Sequence, residues 1–483
     1  MARSQTERIR TAFTGTSVTP LVLMGVGACF AIAIGLLLVG TGATTAVLLP
    51  MAIGVVLLAL WSPYWALVVT VAQFAFIPCE DELFGYFIPN ALQFLAPAVL
   101  VGALLQTLKE ADHERLAPRL TDLLVPGFIL WGVVGMFVTP GGMRWKWFGN
   151  AMGLPALLYF AVRFMRLSYA DVRRLVVILL IAISMQSVLM IRESDAGSSP
   201  IYHVRRGTIE GVKPAKGPFA FKWNASAHLA LWPSLFVYAM ASSRERRKKV
   251  GWGAALIAVL AANTYTMERA GIAASLAAIV ACLLSPRLRR TTLAILGVLA
   301  ALYVPWSVGK AGGGLLDRFR QTDESRYAYR TAAINLLKSS DWNPIFGIGW
   351  ARSGEFSGAH GTEEAIIAWG EREGTVREIA RGSKLHNVWL AVLVELGAVG
   401  ALLLAGLLAG LVRGVSLIWR RANGTARVDD GLVVSMLASL IALGAIGYYQ
   451  NIYMMPEAMS VLWLFYGLLT THPGAFTEAK PGP

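Results

Sequence analysis

The side chains best suited to do chemistry in this chain are one histidine, His386, and a small set of arginines: Arg269, Arg326, Arg330, Arg205 and Arg206. Histidine has an unperturbed pKa near neutrality, so it can take a proton from a hydroxyl and return it at working pH. Arginine is always charged, and its planar fork matches phosphate oxygens two at a time. The two types together fit a reaction in which a hydroxyl attacks and a phosphate leaves. Each also has a plainer reading when taken alone. An interfacial histidine contacts lipid head groups. Arg269 snorkels to head groups or pairs with the adjacent Glu268. Arg326 and Arg330, four apart on a loop helix, share one face and form a solvated patch. Metal chemistry has little to build on. The six histidines show no close-spaced pair, and the three cysteines form neither a CxxC motif nor a disulfide framework.

The elements that must position these residues are apolar. Of the 483 residues, 56% are hydrophobic and only 15% charged, and the mean hydropathy is +0.57. A soluble domain carries about 25% charged residues. A bilayer-crossing helix needs roughly 20 mostly apolar residues, and such runs recur from Val18 almost to the C-terminus. The sequence therefore predicts an all-α, polytopic helical membrane protein with about 12–14 transmembrane helices. The apolar runs lie near 18–40, 43–61, 63–78, 86–107, 123–139, 147–163, 172–191, 218–241, 250–265, 269–284, 291–306, 386–412, 428–448 and 455–471. They divide the chain into N-terminal helices over 1–306 with an outer loop at 192–217, a large loop over 307–385, and C-terminal helices over 386–483.

Charge gives the expected orientation. Arg3, Arg8 and Arg10, Arg163 to Arg174, Arg244 to Lys249, Arg287 to Arg290, and Arg413 to Arg427 all fall on one side of this topology. The positive-inside rule makes that side cytoplasmic and puts both termini there. These basic loops also attract anionic membrane lipids, and a nucleic-acid role is not expected. The first apolar run is long enough to be a span, so a cleavable signal peptide is not expected.

The opposite side then carries the polar chemistry. Within its long loop, Asp323 to Lys338 and Thr362 to Arg381 read as helices, and Asn343-Pro344 with Gly347 and Gly349 reads as a turn. His386 opens the next apolar run. At 3.6 residues per turn, His386, Leu390, Leu393, Gly397 and Gly400 share one stripe, whose small residues would hold the His386 end against a neighbouring helix. Glu395 lies off that stripe and more than two turns deeper, where it is expected to serve a separate buried contact.

Four segments together resemble the signature of the bacterial O-antigen ligase and polymerase superfamily. The first is His386-Asn387, nine residues, then Gly397-x-x-Gly400. The second is Ser325-Arg326 with the helix that follows, then Pro344-x-x-Gly347-x-Gly349. The third is Arg269-Gly271 opening an earlier span, and the fourth is Gly217-Pro218-Phe219 with Asn224. Arg330 departs from the pattern, which has an aromatic there. The resemblance covers about Gly217 to Gly400. It implies a membrane glycosyltransferase of the bacterial inner membrane, with its site facing the periplasm. The donor would be a glycan on polyprenyl (undecaprenyl) diphosphate. The acceptor would be a hydroxyl on lipid A-core, on a lipid-linked repeat or on a protein. His386 would be the general base, and Arg269 and Arg326, with Arg205 or Arg206, would hold the diphosphate. Asn387, Asn224 and Arg330 would orient substrate or base. No metal or other cofactor is needed if arginines carry the phosphate charge. Ligase is the expected member, with O-antigen or exopolysaccharide polymerase and protein O-glycosylating ligase as alternatives. A transporter or flippase for lipid-linked sugars is the reading from another class, and it leaves His386 and the long loop idle. A membrane scaffold gives no reason for these residues to collect on one face.

Overall fold

Away from water, a chain satisfies its backbone N–H and C=O groups by coiling, because a helix closes its hydrogen bonds within itself. The structure, a computed structural model, describes residues 53–76, 82–83, 86–87, 92–110, 112–138, 148–196, 219, 222–266, 268–308, 333–339, 341–350, 387–421, 426–450, 452 and 455–479. These residues are overwhelmingly helical. The strands among them form two short antiparallel pairs, β1 (Glu82–Leu83) with β2 (Tyr86–Phe87), and β3 (Ala426–Val428) with β4 (Thr477–Ala479).

The helices include α1 (Pro63–Phe76), α2 (Leu92–Lys109), α3 (Leu120–Val138), α4 (Leu154–Phe164), α5 (Tyr169–Ala196), α6 (Lys222–Leu229) and α7 (Pro233–Ser242). They continue with α8 (Arg246–Tyr265), α9 (Arg269–Ala281), α10 (Pro286–Val308), the single turn α11 (Asn343–Phe346), α12 (Val388–Arg421), α13 (Asp430–Tyr449) and α14 (Pro456–Thr471). Among the described residues, four stretches are long and apolar enough to cross a membrane: Leu120–Phe137, Tyr169–Ser194, Val388–Arg421 and Asp430–Tyr449. Shorter apolar helices accompany them, among them Pro63–Phe76 and Arg269–Leu284.

The helices follow the apolar runs, with three departures. The run near 86–107 begins with strand residues, and its helix starts only at Leu92. The run near 218–241 is split by a turn at 230–232, after which Pro233 opens α7 in the first helical turn, where its missing N–H costs nothing. The run that opens at 386 is broken inside α12, where Gly397 has φ 65° and ψ −167°. Residues 333–338 are helical, within the expected 323–338 segment. The expected helix at 362–381 and the run at 18–40 lie outside the described residues.

Packing pairs α4 with α2 and α14, α12 with α3, and α13 with α7 and α9. One end of this bundle is tied by buried charge. Asp429 is fully buried and caps α13 by accepting from Leu432 N. It also accepts from the hydroxyls of Tyr169 at 2.6 Å and Tyr238 at 2.7 Å, and from Arg287 Nη1 at 2.9 Å. One carboxylate thus joins α5, α7, α10 and α13. Nearby, the buried Arg163 pairs with Asp122 at 3.1 Å and donates to Ala117 O. Arg119 donates to Thr471 O, and His472 Nε2 lies 2.6 Å from Val162 O, a contact that needs the proton on Nε2. Burial pushes the His472 imidazole down to about 4, with Arg115, Arg119 and Arg163 adding to the effect.

Candidate functional site

The other end of the bundle is built around α9. Asn263, buried near the end of α8, accepts from Ser226 Oγ on α6 at 2.7 Å and donates to Ser275 Oγ on α9 at 2.9 Å. One amide therefore locks three helices. Gly271 allows the close approach, since a Cβ there would sit 1.8 Å from Ser226 Oγ. Just outside this lock, Lys222 Nζ meets Glu268 Oε1 at 2.8 Å. This pair bears on one of the plainer readings of Arg269, the one in which it pairs with Glu268. Lys222 engages the neighbouring carboxylate, and Arg269 makes no ion pair with it. Arg269 is half-buried at the first turn of α9 and has no partner among the described residues.

Helix pairing places Arg269 relative to the second candidate segment. α9 runs beside α13. Just beyond α9, Ser285 donates to Asp430 at the start of α13. Arg269, at the opposite end of α9, therefore lies toward the Tyr449 end of α13. The start of α12 docks on that same part of α13: Trp389 Nε1 donates to Gly444 O at 3.3 Å, and Val388 packs where a Cβ on Gly447 would fall. Arg269 and Asn387 thus lie toward the same end of α13. Asn224 joins them on α6, beside Lys222 and Ser226. It is half-buried.

Asn387 has a defined local task. Its Oδ1 accepts from Leu390 N at 3.0 Å, and its carbonyl accepts from Ala391 N. It is the N-cap of α12, the position where a side-chain oxygen satisfies an orphan N–H. The cap fixes the chain one residue after His386. His386 itself, with Arg205, Arg206, Arg326 and Arg330, lies outside the described residues.

The predicted stripe through His386, Leu390, Leu393, Gly397 and Gly400 is broken at Gly397, and its His386 end lies outside the described residues. Gly397 adopts a backbone conformation that is essentially restricted to glycine, so the stripe is interrupted there. What packs at this level is a turn from the long loop, where a helix was expected. Ile348 N donates to Val394 O and Gly349 N to Glu395 O, both at 3.0 Å, and Trp131 Nε1 of α3 donates to Leu396 O at 2.7 Å. Gly347 has φ 76° and ψ −179°. A Cβ on it would lie 2.3 Å from Glu395 O, and one on Gly397 would lie 2.3 Å from Ile345 O. The Pro-x-x-Gly-x-Gly and Gly-x-x-Gly segments are therefore two halves of one contact. Glu395 is fully buried at this joint.

Beside the head of α12 an apolar cavity of about 140 Å³ runs along the helix. Its walls include Phe128, Val388, Trp389, Leu404, Leu443 and Met459, and no charged side chain lines it among the described residues. No group of three His, Cys, Asp or Glu side chains comes together among the described residues.

Three contributors escaped the sequence reading. Lys222 carried a signal that was legible: an acid beside a candidate arginine at a helix head needs a partner, and a lysine opens α6. Asn263 and Trp131 sit inside apolar runs where nothing in the spacing marks them. Compared with known proteins, the chain matches no family model and no curated sequence.

Proposed function

We propose that this protein is a membrane-embedded glycosyltransferase that moves a glycan from polyprenyl diphosphate to a hydroxyl acceptor. The single observation that carries the reading is the state of Arg269. It is half-buried, its adjacent carboxylate is engaged by Lys222, and it shares one end of the bundle with the capped head of α12. A cation without a partner among the described residues in such a place suits an anionic ligand, and the apolar cavity beside Val388 and Trp389 suits the hydrocarbon part of a lipid-linked one.

In the proposed reaction the acceptor hydroxyl attacks the anomeric carbon of the glycan, and His386 takes its proton. The bond from that carbon to the diphosphate oxygen breaks, and the polyprenyl diphosphate departs with the bonding electrons. Arg269 stabilises the developing phosphate charge, most strongly where water is excluded. Arg326 supplies a second cation, with Arg205 or Arg206. Direct displacement inverts the anomeric centre. O-antigen ligation to lipid A-core is the member of this class that we favour, at the periplasmic face of a bacterial inner membrane with both termini cytoplasmic. Joining of lipid-linked repeats and transfer to protein use the same groups.

One observation favours a second reading. The helical path is interrupted at 230–232 and again at Gly397, and transporters build binding sites from discontinuous helices. A flippase for lipid-linked sugars would use Arg269 in the same way and leave His386 without a task. Purified protein in detergent, supplied with lipid-linked glycan and acceptor, separates the two. Product formed without a bilayer supports transfer, whereas substrate that stays intact in detergent and crosses the membrane of proteoliposomes supports transport.

A further inference from the structure

α12 is the longest described helix, and its break divides it unequally. Nine residues, Val388–Leu396, precede Gly397. A short segment cut off from the helix below it must have its tilt set by other contacts. The structure gives it three. Its top is capped by Asn387. Its side is pinned to α13 through Trp389 and Val388. Its base is held by the three hydrogen bonds to the carbonyls of Val394, Glu395 and Leu396, from Ile348 N, Gly349 N and Trp131 Nε1.

The base contact ties distant parts of the chain. Trp131 reaches across from α3, and its ring also stacks on Phe346 in α11, with centroids 5.8 Å apart. The indole therefore bridges both sides of the joint. Gly135, one turn further along α3, allows the turn to approach, since a Cβ there would come within 3.3 Å of Gly349 Cα. Within a bilayer, a carbonyl at a helix break that lacks a donor costs several kcal/mol. The joint is thus held in one arrangement as long as its donors are present.

We propose that Trp131 is a positioning residue: its indole N–H, acting with the Ile348–Gly349 turn, aims the Val388–Leu396 segment and so sets where His386 is presented to substrate. The catalytic part of this statement rests on the proposed transfer reaction; the mechanical part does not. Among the described residues Trp131 meets Leu396 O and Phe346, and its effect on turnover is exerted through α12.

The test is Trp131→Phe, which keeps a ring against Phe346 and deletes the N–H donor. Two readouts are taken on purified full-length protein. The first is amide hydrogen exchange of the 343–350 and 388–400 peptides, by mass spectrometry. In wild type, the amides of Ile348 and Gly349 exchange as slowly as those inside α12, and in Trp131→Phe they exchange at least about tenfold faster, as expected for a locally opened joint. The second is transfer kinetics with polyprenyl-diphosphate-linked glycan extracted from the host membrane. There kcat falls roughly tenfold while KM stays within about twofold, because a displaced base lowers turnover without removing a substrate contact.

Faster exchange together with that split supports the proposal. Unchanged exchange, unchanged kcat, or a rise in KM alone overturns it. Should the variant fail to fold, Ile348 and Gly349 amides that exchange freely in wild type overturn it equally, and protected ones support the joint. Wild-type protein that transfers nothing refutes the transfer reading by itself, while the exchange result still decides whether the joint exists.

Discussion

The two ends of this helical bundle handle charge in opposite ways. At the end where α13 begins, Asp429, Arg163 and His472 are buried and engaged by protein groups: two tyrosines and Arg287 on Asp429, Asp122 on Arg163, and the Val162 carbonyl on His472. At the end where α9 and α12 begin, Lys222 and Glu268 satisfy each other and Arg269 is left half-buried with no partner among the described residues. Charge paired inside the protein holds helices in register. Charge held in place with no partner among the described residues is what the proposed transfer reaction would use to hold an anionic substrate. The contrast separates an end held by buried charge from the end where the proposed function puts substrate binding.

Substitutions should sort by end. The largest effects belong to the α9 and α12 heads and appear in turnover. His386→Ala should slow transfer by about 10²–10⁴-fold, the range for a lost general base. Arg269→Ala should slow it by roughly 10²–10³-fold, the range for one lost charge-stabilising donor. Both variants should melt close to wild type. The reverse pattern is expected for Asp429→Ala, which strands the buried side of Arg287 and two tyrosines. Its unfolding free energy should drop by about 3–5 kcal/mol, measured by denaturation in detergent, with transfer per folded molecule unchanged. If Asp429→Ala abolished transfer while the protein remained folded, the division between the ends would fail.

Smaller effects sharpen the same contrast. Gly397→Ala forces a side chain into a conformation that costs about 1–3 kcal/mol by itself, and it presses on Ile345 O as well. Gly297→Ala, within α10 and facing open space, should be neutral or stabilise by about 0.5–1 kcal/mol. Melting temperatures of the two variants test this directly. His472 adds a pH dependence to the structural end. Its folded-state value of about 4 lies below the ordinary histidine value. The stability it contributes is therefore complete above the ordinary value and is lost as the pH falls toward 4. Between pH 7 and pH 5 the loss should be about 2 kcal/mol. His472→Gln, which keeps an N–H donor, should flatten that dependence without touching Arg269.

The helices were legible because apolar runs near bilayer length leave the backbone few alternatives. Their interruptions were not. Gly397 looks like an ordinary small residue on a helix stripe, and only the docking of Gly347 and Gly349, some fifty residues earlier in the chain, explains why the helix breaks there. The turn at Asn343-Pro344 was legible from its own residues, but its seat on α12 was not, because local sequence carries no record of a distant contact. At the candidate site, Arg269 and Asn387 were named from type and position. Their shared end of the bundle follows from the pairing of α9 and α12 with α13, which hydropathy cannot supply. Lys222 was the legible signal that went unused: it removes Glu268 from competition and turns Arg269 from an ordinary helix-end cation into a candidate ligand.

The glycan profile of the host envelope after deletion of this gene, complemented with wild type, His386→Ala or Arg269→Ala, tests the central claim most directly. The account predicts that lipid A-core loses its repeats and polymer accumulates on the polyprenyl carrier, and that only wild type restores the profile. Core carrying single repeats without long chains would keep the chemistry and reassign the member to polymerase. An unchanged envelope profile, or full restoration by His386→Ala, would contradict the account.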